Sequence, residues 1–303
     1  MDNNKIFEYR TCLLCGSKDY KIVYKGKTNI VKCLNCGLTY SNPGIREDVN
    51  INIISGHRDR DVKRYNNLKD YQLPRFVEEL EAIERIIKPG KILDVGCGNG
   101  NFLECAKNRG WETYGVDINP ASLEPCSNHG KIFIGSLHDA KFQNDFFDVV
   151  FSSSTFCYMS HPLKFLEDVK QILKPGGMLV IIGVPNVTSL DSFIKYESLV
   201  KPYPPDQVSY YFRKKDLRKI VKNIGLEVFR LKTLGFGIST VKLPEDIDSN
   251  SPEKKEFKTE IPPLAKAASK GILKSAIKPV ANTLLNLFNL GYNFKLYCRK
   301  PIR

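Results

Sequence analysis

The sequence predicts an α/β protein with a small cysteine-rich module at its amino end, and three observations carry that expectation. From Lys91 onward, short apolar runs alternate with helical spacings, as an α/β domain requires. A glycine-rich turn joins the first of those runs to a helical segment. Ahead of them, two Cys-x-x-Cys pairs stand in a stretch too short to bury a core of its own. At 303 residues, the chain has room for one large domain and one small module. Hydrophobic residues make up 42% and charged residues 26%, which excludes a disordered or fibrous chain.

The elements follow in order. Cys12-Leu-Leu-Cys15-Gly and Cys33-Leu-Asn-Cys36-Gly are separated by seventeen residues. Between them lie two strand-like runs, 20–24 and 29–32, joined by Lys25-Gly-Lys. A polar stretch reads as a linker, giving expected divisions of 1–42, 43–72 and 73–303. Phe76, Leu80, Ile83 and Ile87 then recur at helical spacing over 73–88. Strands are expected near 91–95, 112–117, 131–134, 147–152, 178–183, 226–232 and 293–299. Helices are expected near 99–109, 119–128, 162–173 and 213–224.

Zinc favours four thiolates in a tetrahedron, and one Cys-x-x-Cys turn brings two sulfurs to the same ion. Cys12, Cys15, Cys33 and Cys36 therefore fit a zinc ribbon, against the alternative of four buried, unligated thiols. With every position taken by protein sulfur, such a metal is structural. Cys97, Cys105, Cys126, Cys157 and Cys298 lack this spacing and read as buried small hydrophobes.

The most informative segment is Ile92-Leu-Asp94-Val-Gly96-Cys-Gly98-Asn-Gly100-Asn-Phe-Leu103, an apolar strand that turns through glycines into a helix. Glycines let a ligand approach the backbone, and a helix N-terminus offers N–H groups to an anion. A dinucleotide G-x-G-x-x-G fails in both registers, and no Walker Gly-Lys-Ser/Thr follows. The pattern D-x-G-x-G-x-G resembles that of class I S-adenosylmethionine-dependent methyltransferases. The resemblance continues through Tyr114-Gly-Val-Asp117, Phe147-Asp148-Val-Val, Leu173-Lys-Pro175-Gly176-Gly177 and Val184-Pro185-Asn186, over about 91–233, with a closing strand near 293–300. It implies a Rossmann-like seven-stranded sheet with an antiparallel last strand, and S-adenosylmethionine as cofactor. By position it implies Gly96, Gly98 and Gly100 along the methionine and ribose, with Asp94 hydrogen-bonding through the loop. It puts Asp117 on the ribose hydroxyls, Ser136 and Leu137 at the adenine, and Ser154 facing the methyl group. For Asp94, ordering the loop is a compatible structural role.

With its amino-terminal cysteine module, the chain resembles bacterial sugar methyltransferases of surface polysaccharide or natural-product pathways. Relatives carry Glu-His where Cys157-Tyr158 stands here, and a His where Gln207 stands in Pro204-Pro205-Asp206-Gln207. A hydroxyl acceptor needs a base, and His161 and Tyr158 are the candidates. His161 also reads as a helix cap, and an unperturbed tyrosine near pKa 10 is a poor base. His138 touches cofactor or is simply solvated. Tyr210 and Tyr211 form a lid or a sugar-stacking pair, or else pack in the core.

The formal charge of +13 admits nucleic acid, an anionic membrane or an anionic substrate. Eight basic residues and no acidic one follow Glu260, leaving 38 basic against 33 acidic residues, or +5, before it. Lys266, Lys270, Lys274 and Lys278 recur every four residues beside an apolar stripe. The stretch 261–290 thus reads as a basic amphipathic insertion, either touching a membrane or capping one end of the sheet. No run approaches the roughly 20 apolar residues of a membrane span, and Met1 to Arg10 lacks a signal core, so a cytoplasmic protein is expected, peripheral at most. The expected partner is a sugar nucleotide or lipid-linked sugar. Alternatives are a lipid or quinone acceptor, or RNA. The RNA alternative is disfavoured because Val184-Pro185-Asn186-Val187 replaces the base-methylation Asn/Asp-Pro-Pro-Tyr pattern.

Overall fold

The computed structural model describes residues 6–26, 28–47, 49, 58–189, 205, 207–235 and 283–302. The basic stripe Lys266 to Lys278 and the polar loop 244–260 lie outside them.

The central sheet has seven strands. They are β6 (Lys91–Val95), β7 (Glu112–Asp117), β8 (Lys131–Ile134), β9 (Phe147–Ser153), β10 (Leu173–Pro185), β12 (Glu227–Leu234) and β13 (Asn293–Arg299). Their order is β12-β13-β10-β9-β6-β7-β8. β8, β7, β6, β9 and β10 are mutually parallel, and β13 inserts antiparallel to both β10 and β12. This is the methyltransferase arrangement that the resemblance implies, antiparallel last strand included. Strand order reverses between β6 and β9, so the carboxyl end of β6 is the topological switch point where open α/β sheets bind ligands. Both faces are apolar, as buried parallel strands require. One is lined by Leu93, Val150, Leu179, Ile181 and Leu296, the other by Ile92, Val149, Phe151, Met178 and Val180.

Helices cover both faces. α1 (Arg58–Glu84) packs Leu80 and Ile83 on the second face. Its Phe76 ring meets Phe102 and Phe151 edge-on, and those two rings stack at 3.7 Å. α1 starts well before the expected 73 and runs through what reads as linker. Pro74 sits inside it, and the helix continues on both sides. α2 (Asn101–Asn108) opens at Gly100, whose φ of 75° is the left-handed conformation that glycine adopts without penalty. The helix expected over 119–128 is instead a 3₁₀ turn, Pro120–Ser122, followed by one helical turn, α3 (Leu123–Cys126). Pro120 and Pro125 lack the N–H that a longer helix would use. α4 (Pro162–Ile172) and α5 (Lys214–Ile224) pack on the first face through Leu166, Val169, Leu217 and Ile220.

The amino-terminal module builds β1 (Phe7–Glu8), β2 (Tyr20–Tyr24), β3 (Ile30–Cys33), β4 (Thr39–Ser41) and β5 (Gly44–Ile45). β2, β3 and β4 form an antiparallel sheet whose fourth strand comes from far along the chain. It is β11 (Tyr210–Tyr211), which pairs Tyr210 with Tyr40 and Tyr211 with Thr39. Ser41 adds a bond from its N–H to Ser209 O (3.0 Å) and one from Oγ to Val208 O (2.5 Å). Tyr210 and Tyr211 are 4% and 0% exposed, so they pack in the core and form no lid. Among the described residues no helix is long and apolar enough to cross a membrane.

Candidate functional site

The site forms where β6 and β7 end. Beyond Val95 the chain must turn sharply into α2, and Gly96, Gly98 and Gly100 all take positive φ to do so. At Gly96 (φ 81°) a Cβ would also collide with the Thr155 hydroxyl, so the loop lies directly against the segment that follows β9. Gly96 N–H and Cys97 N–H both donate to Val116 O, at 2.8 and 3.2 Å, which pins the loop to β7. Asp117, at the end of β7, accepts Gly98 N–H on Oδ2 and Asn119 N–H on Oδ1, each at 2.8 Å. Each oxygen keeps further acceptor capacity for a neighbouring diol.

Asp94 lies beneath the loop at 3% exposure, and its Oδ1 has no hydrogen-bond partner. Burial pushes its carboxyl well above the usual range, and the nearby Asp117 pushes it further. Burial raises Asp117 as well, against the lowering bonds from Asn119, Gly98 and Ser122. A buried carboxyl and a half-buried one thus lie close together, and among the described residues no Lys or Arg is ion-paired with either. A buried acceptor without a donor is costly, and a ligand supplying positive charge and hydroxyl donors would relieve it. S-adenosylmethionine carries a sulfonium, an ammonium and a ribose diol, and these residues fit it on that ground.

The other residues expected at the site divide. Ser154 is exposed at the carboxyl end of β9 with φ 55°, a strained conformation for a non-glycine residue, and its N–H donates to Ile182 O (2.9 Å). Ser136 turns its hydroxyl to Asp139 Oδ2 (2.5 Å), and Leu137 is 8% exposed and packs in the core. Their side chains therefore cap and pack where β8 leaves the sheet. Asp94 leaves Oδ1 as an open acceptor beneath the loop.

His161 starts α4, but its imidazole makes no cap bond. Its Nε2 lies 3.5 Å from Glu47 Oε2, in a shallow groove lined also by Leu13, Leu163 and Lys164. Tyr158 packs, half-buried, with Cys157, Tyr211 and the module's Ile30. His138 pairs with Asp168 at 3.3 Å.

The four paired cysteines converge: their sulfurs all lie within 4.8 Å of one another, with Cys12–Cys36 at 3.3 Å and Cys15–Cys33 at 3.6 Å. A zinc ion bound at about 2.3 Å per sulfur would space them at roughly 3.8 Å. Burial would raise the Cys33 thiol, but hydrogen bonds from Cys36 and Asn35 N–H, with help from Cys15 and Cys12, bring it down to about 7. The other five cysteines are all buried, as expected of small hydrophobes.

Sequence reasoning missed three residues here. Arg213 donates from Nη2 to Cys36 O (2.9 Å) while chelating Asp216 at 2.7 and 2.8 Å, which ties the cysteine module to α5. Arg10 reaches Ser160 Oγ (3.4 Å) and Ile45 O (2.5 Å). Thr155 walls the glycine loop. Only the Asp at the third position of α5, which completes a capping box with Arg213, left any mark in the sequence.

Residues 64–231 match a family model described as "Methyltransferase domain". A protein named "probable phthiotriol/phenolphthiotriol dimycocerosates methyltransferase 2", from Mycobacterium ulcerans, is 28% identical over 170 residues, covering 54% of this chain and 58% of its own length. The ubiquinone biosynthesis O-methyltransferase of Rickettsia typhi is 22% identical over 206 residues, covering 64% of this chain and 84% of that protein. A solved S-adenosylmethionine-dependent methyltransferase from Archaeoglobus fulgidus shares the fold with a TM-score of 0.51 at 20% identity, covering 77% of this chain and 94% of that one.

Proposed function

The chain belongs to the methyltransferase domain family and is an S-adenosylmethionine-dependent methyltransferase, and from that premise we propose that its acceptor is a hydroxyl on a hydrophobic or lipid-linked molecule. The observation that carries the cofactor site is the buried Asp94, its Oδ1 open, beside the half-buried Asp117 at the carboxyl ends of β6 and β7. For the acceptor, support comes from the relatives, which are named for a phthiotriol lipid and for ubiquinone. A sugar acceptor of the lipid-linked kind is the second reading, supported by the resemblance of the amino-terminal module to that of sugar methyltransferases.

The bound cofactor supplies a methyl group on sulfonium sulfur, already activated toward a nucleophile. The protein's task is then alignment and exclusion of water. Asp117 takes the ribose hydroxyls on the acceptor capacity that Gly98 and Asn119 leave open. The glycine loop and the first N–H groups of α2 receive the methionine carboxylate. Ser154, exposed just beyond β9, would face the methyl group. The acceptor proton passes to His161, whose imidazole Glu47 orients, and Tyr158 fixes the wall behind it. Four thiolates, Cys12, Cys15, Cys33 and Cys36, would hold a structural zinc, fixing the module's fold.

The test is incubation with methyl-labelled S-adenosylmethionine and cell extract, fractionated into membrane lipids, soluble sugar nucleotides and RNA. Label in an alkali-stable ether of the lipid fraction supports the reading. Label confined to soluble sugars or to RNA refutes the acceptor class while leaving the enzyme activity intact.

A further inference from the structure

One apolar surface remains outside the site. Residues 283–287 form a short helical turn ahead of β13, and Leu284, Leu287 and Phe288 there are 53%, 68% and 69% exposed. The turn is held firmly from beneath. Leu285 is 7% exposed, and its carbonyl accepts the Thr233 hydroxyl (3.1 Å). Asn286 Oδ1 accepts Thr233 N–H (2.9 Å), and the buried Asn186 amide donates to Asn289 O and Gly291 O, both at 2.8 Å. Three large apolar side chains are therefore presented to solvent on a fixed base, where burial would ordinarily be favoured.

The charge beside them has one sign. Lys214 reaches Asn289 Oδ1 at 2.6 Å, which sets the amino end of α5 against the turn. Lys215, Arg218, Lys219 and Lys222 lie on the exposed face of α5, and its single acid, Asp216, is 2% exposed and bound to Arg213. The position matters too. β13 begins at Asn293, opposite Pro185 and Leu234, so the turn stands at the carboxyl edge of the sheet, the edge that carries Gly96, Asp117 and Ser154.

We propose that the turn at 283–289 and the basic face of α5 together form a docking surface for an anionic lipid bilayer. Leu284, Leu287 and Phe288 enter the boundary between headgroups and acyl chains, and the lysines and Arg218 meet the anionic headgroups. Docking in this way faces the open end of the site toward the lipid and shortens the path of a lipid acceptor. The inference deepens the proposed acceptor class and rests on it for its purpose, but bilayer binding is measured without any acceptor.

The full chain is sedimented with vesicles of phosphatidylcholine alone and of phosphatidylcholine with phosphatidylglycerol. Binding is expected on the second, weakening as salt rises. Leu287→Asp combined with Phe288→Asp, and separately Lys215→Gln combined with Arg218→Gln, each reduce the partition by about tenfold or more. All four positions are solvent-facing, so melting temperature and cofactor affinity stay at wild-type values. Equal binding by both double variants, or no binding to either vesicle, overturns the proposal. So does a dimer in light scattering that the Phe288 variant abolishes, because a second copy then covers the turn. Retention on RNA without vesicle binding overturns it as well. Labelled lipid formed without vesicle binding overturns the docking surface and leaves the acceptor reading standing.

Discussion

Replacing Asp94 by Asn is predicted to move stability and cofactor affinity in opposite directions. Asp94 is 3% exposed, its Oδ1 has no partner, and burial followed by repulsion from Asp117 holds its carboxyl well above the usual range. In the free enzyme this group is a liability. A buried polar group without a partner costs about 1–3 kcal/mol, and a neutral amide that can donate toward Asp117 relieves part of that. Recovering about 1 kcal/mol raises the melting temperature by roughly 2–4 °C in a domain of this size. The cofactor side of the balance has the other sign. A charge-assisted hydrogen bond is worth about 1.5–3 kcal/mol, so the Asn variant binds S-adenosylmethionine about 10- to 100-fold more weakly.

Thermal unfolding with and without cofactor, together with titration calorimetry, reads both quantities. The pH dependence supplies a further check. A carboxyl whose folded-state pKa lies above its unfolded value of about 3.9 contributes stability that is fully present below that value. That contribution is lost as pH rises through the folded pKa. The variant's advantage over wild type in the free state is therefore absent in acid and grows as pH rises. An Asn variant that melts below wild type at neutral pH and binds cofactor normally would falsify the assignment, leaving Asp94 as a loop-ordering carboxylate.

Four further outcomes are expected. Gly96→Ala forces a Cβ onto the Thr155 hydroxyl at a φ of 81° and abolishes cofactor binding in calorimetry, while far-ultraviolet circular dichroism is unchanged. Arg213→Ala leaves the 2%-exposed Asp216 without its partner, costing about 3 kcal/mol, and the loss shows as a melting temperature roughly 6–12 °C lower. His161→Gln lowers kcat by a factor of about 10² or more with cofactor affinity unchanged, whereas Tyr158→Phe keeps most of kcat; the reverse ranking would reassign the base. Cys15 is exposed, so Cys15→Ser leaves no cavity, and its effect reports metal alone: less than one zinc per chain by elemental analysis, and a lower melting temperature.

Much of the sheet can be read from residues because buried parallel strands are continuous apolar runs. Ile92-Leu93 and Val149 to Phe151 show it, and the turn at Gly96 marks the switch point directly. The acidic ends of β6 and β7 are legible for the same reason, since a carboxylate closing an apolar run has few structural uses. What escaped is pairing over long distance. β11 is two residues long, and nothing in Tyr210-Tyr211 alone says that it completes a sheet begun at Tyr20. The early start of α1 escaped because its first turns lack an apolar stripe. Residues 119–128 misled because the helical spacing there ignores what two prolines remove. Ser136 and Leu137 follow β8, and the bond from the Ser136 hydroxyl to Asp139 left no mark in the sequence.

The borrowed strand bears on why the cysteine module is part of the enzyme. A module of some forty residues cannot bury enough apolar surface to stand alone, and a metal at its four cysteines would fix only that end of it. Without β11, the β4 edge would present unpaired backbone groups to water, open to any other strand. Pairing with β11 closes that edge, and the cores merge. Val31, Leu38 and Tyr40 join Phe156, Tyr210 and Phe212 in one apolar cluster. The same docking delivers Arg10 to Ser160 and Glu47 to His161, on the loop that follows β9 beside the glycine turn. Loss of the clamp therefore does more than unfold an appendage. With His161 as the proposed base, it would disturb proton transfer and leave Asp94 and Asp117 untouched, so a metal-depleted enzyme should lose turnover before it loses cofactor binding.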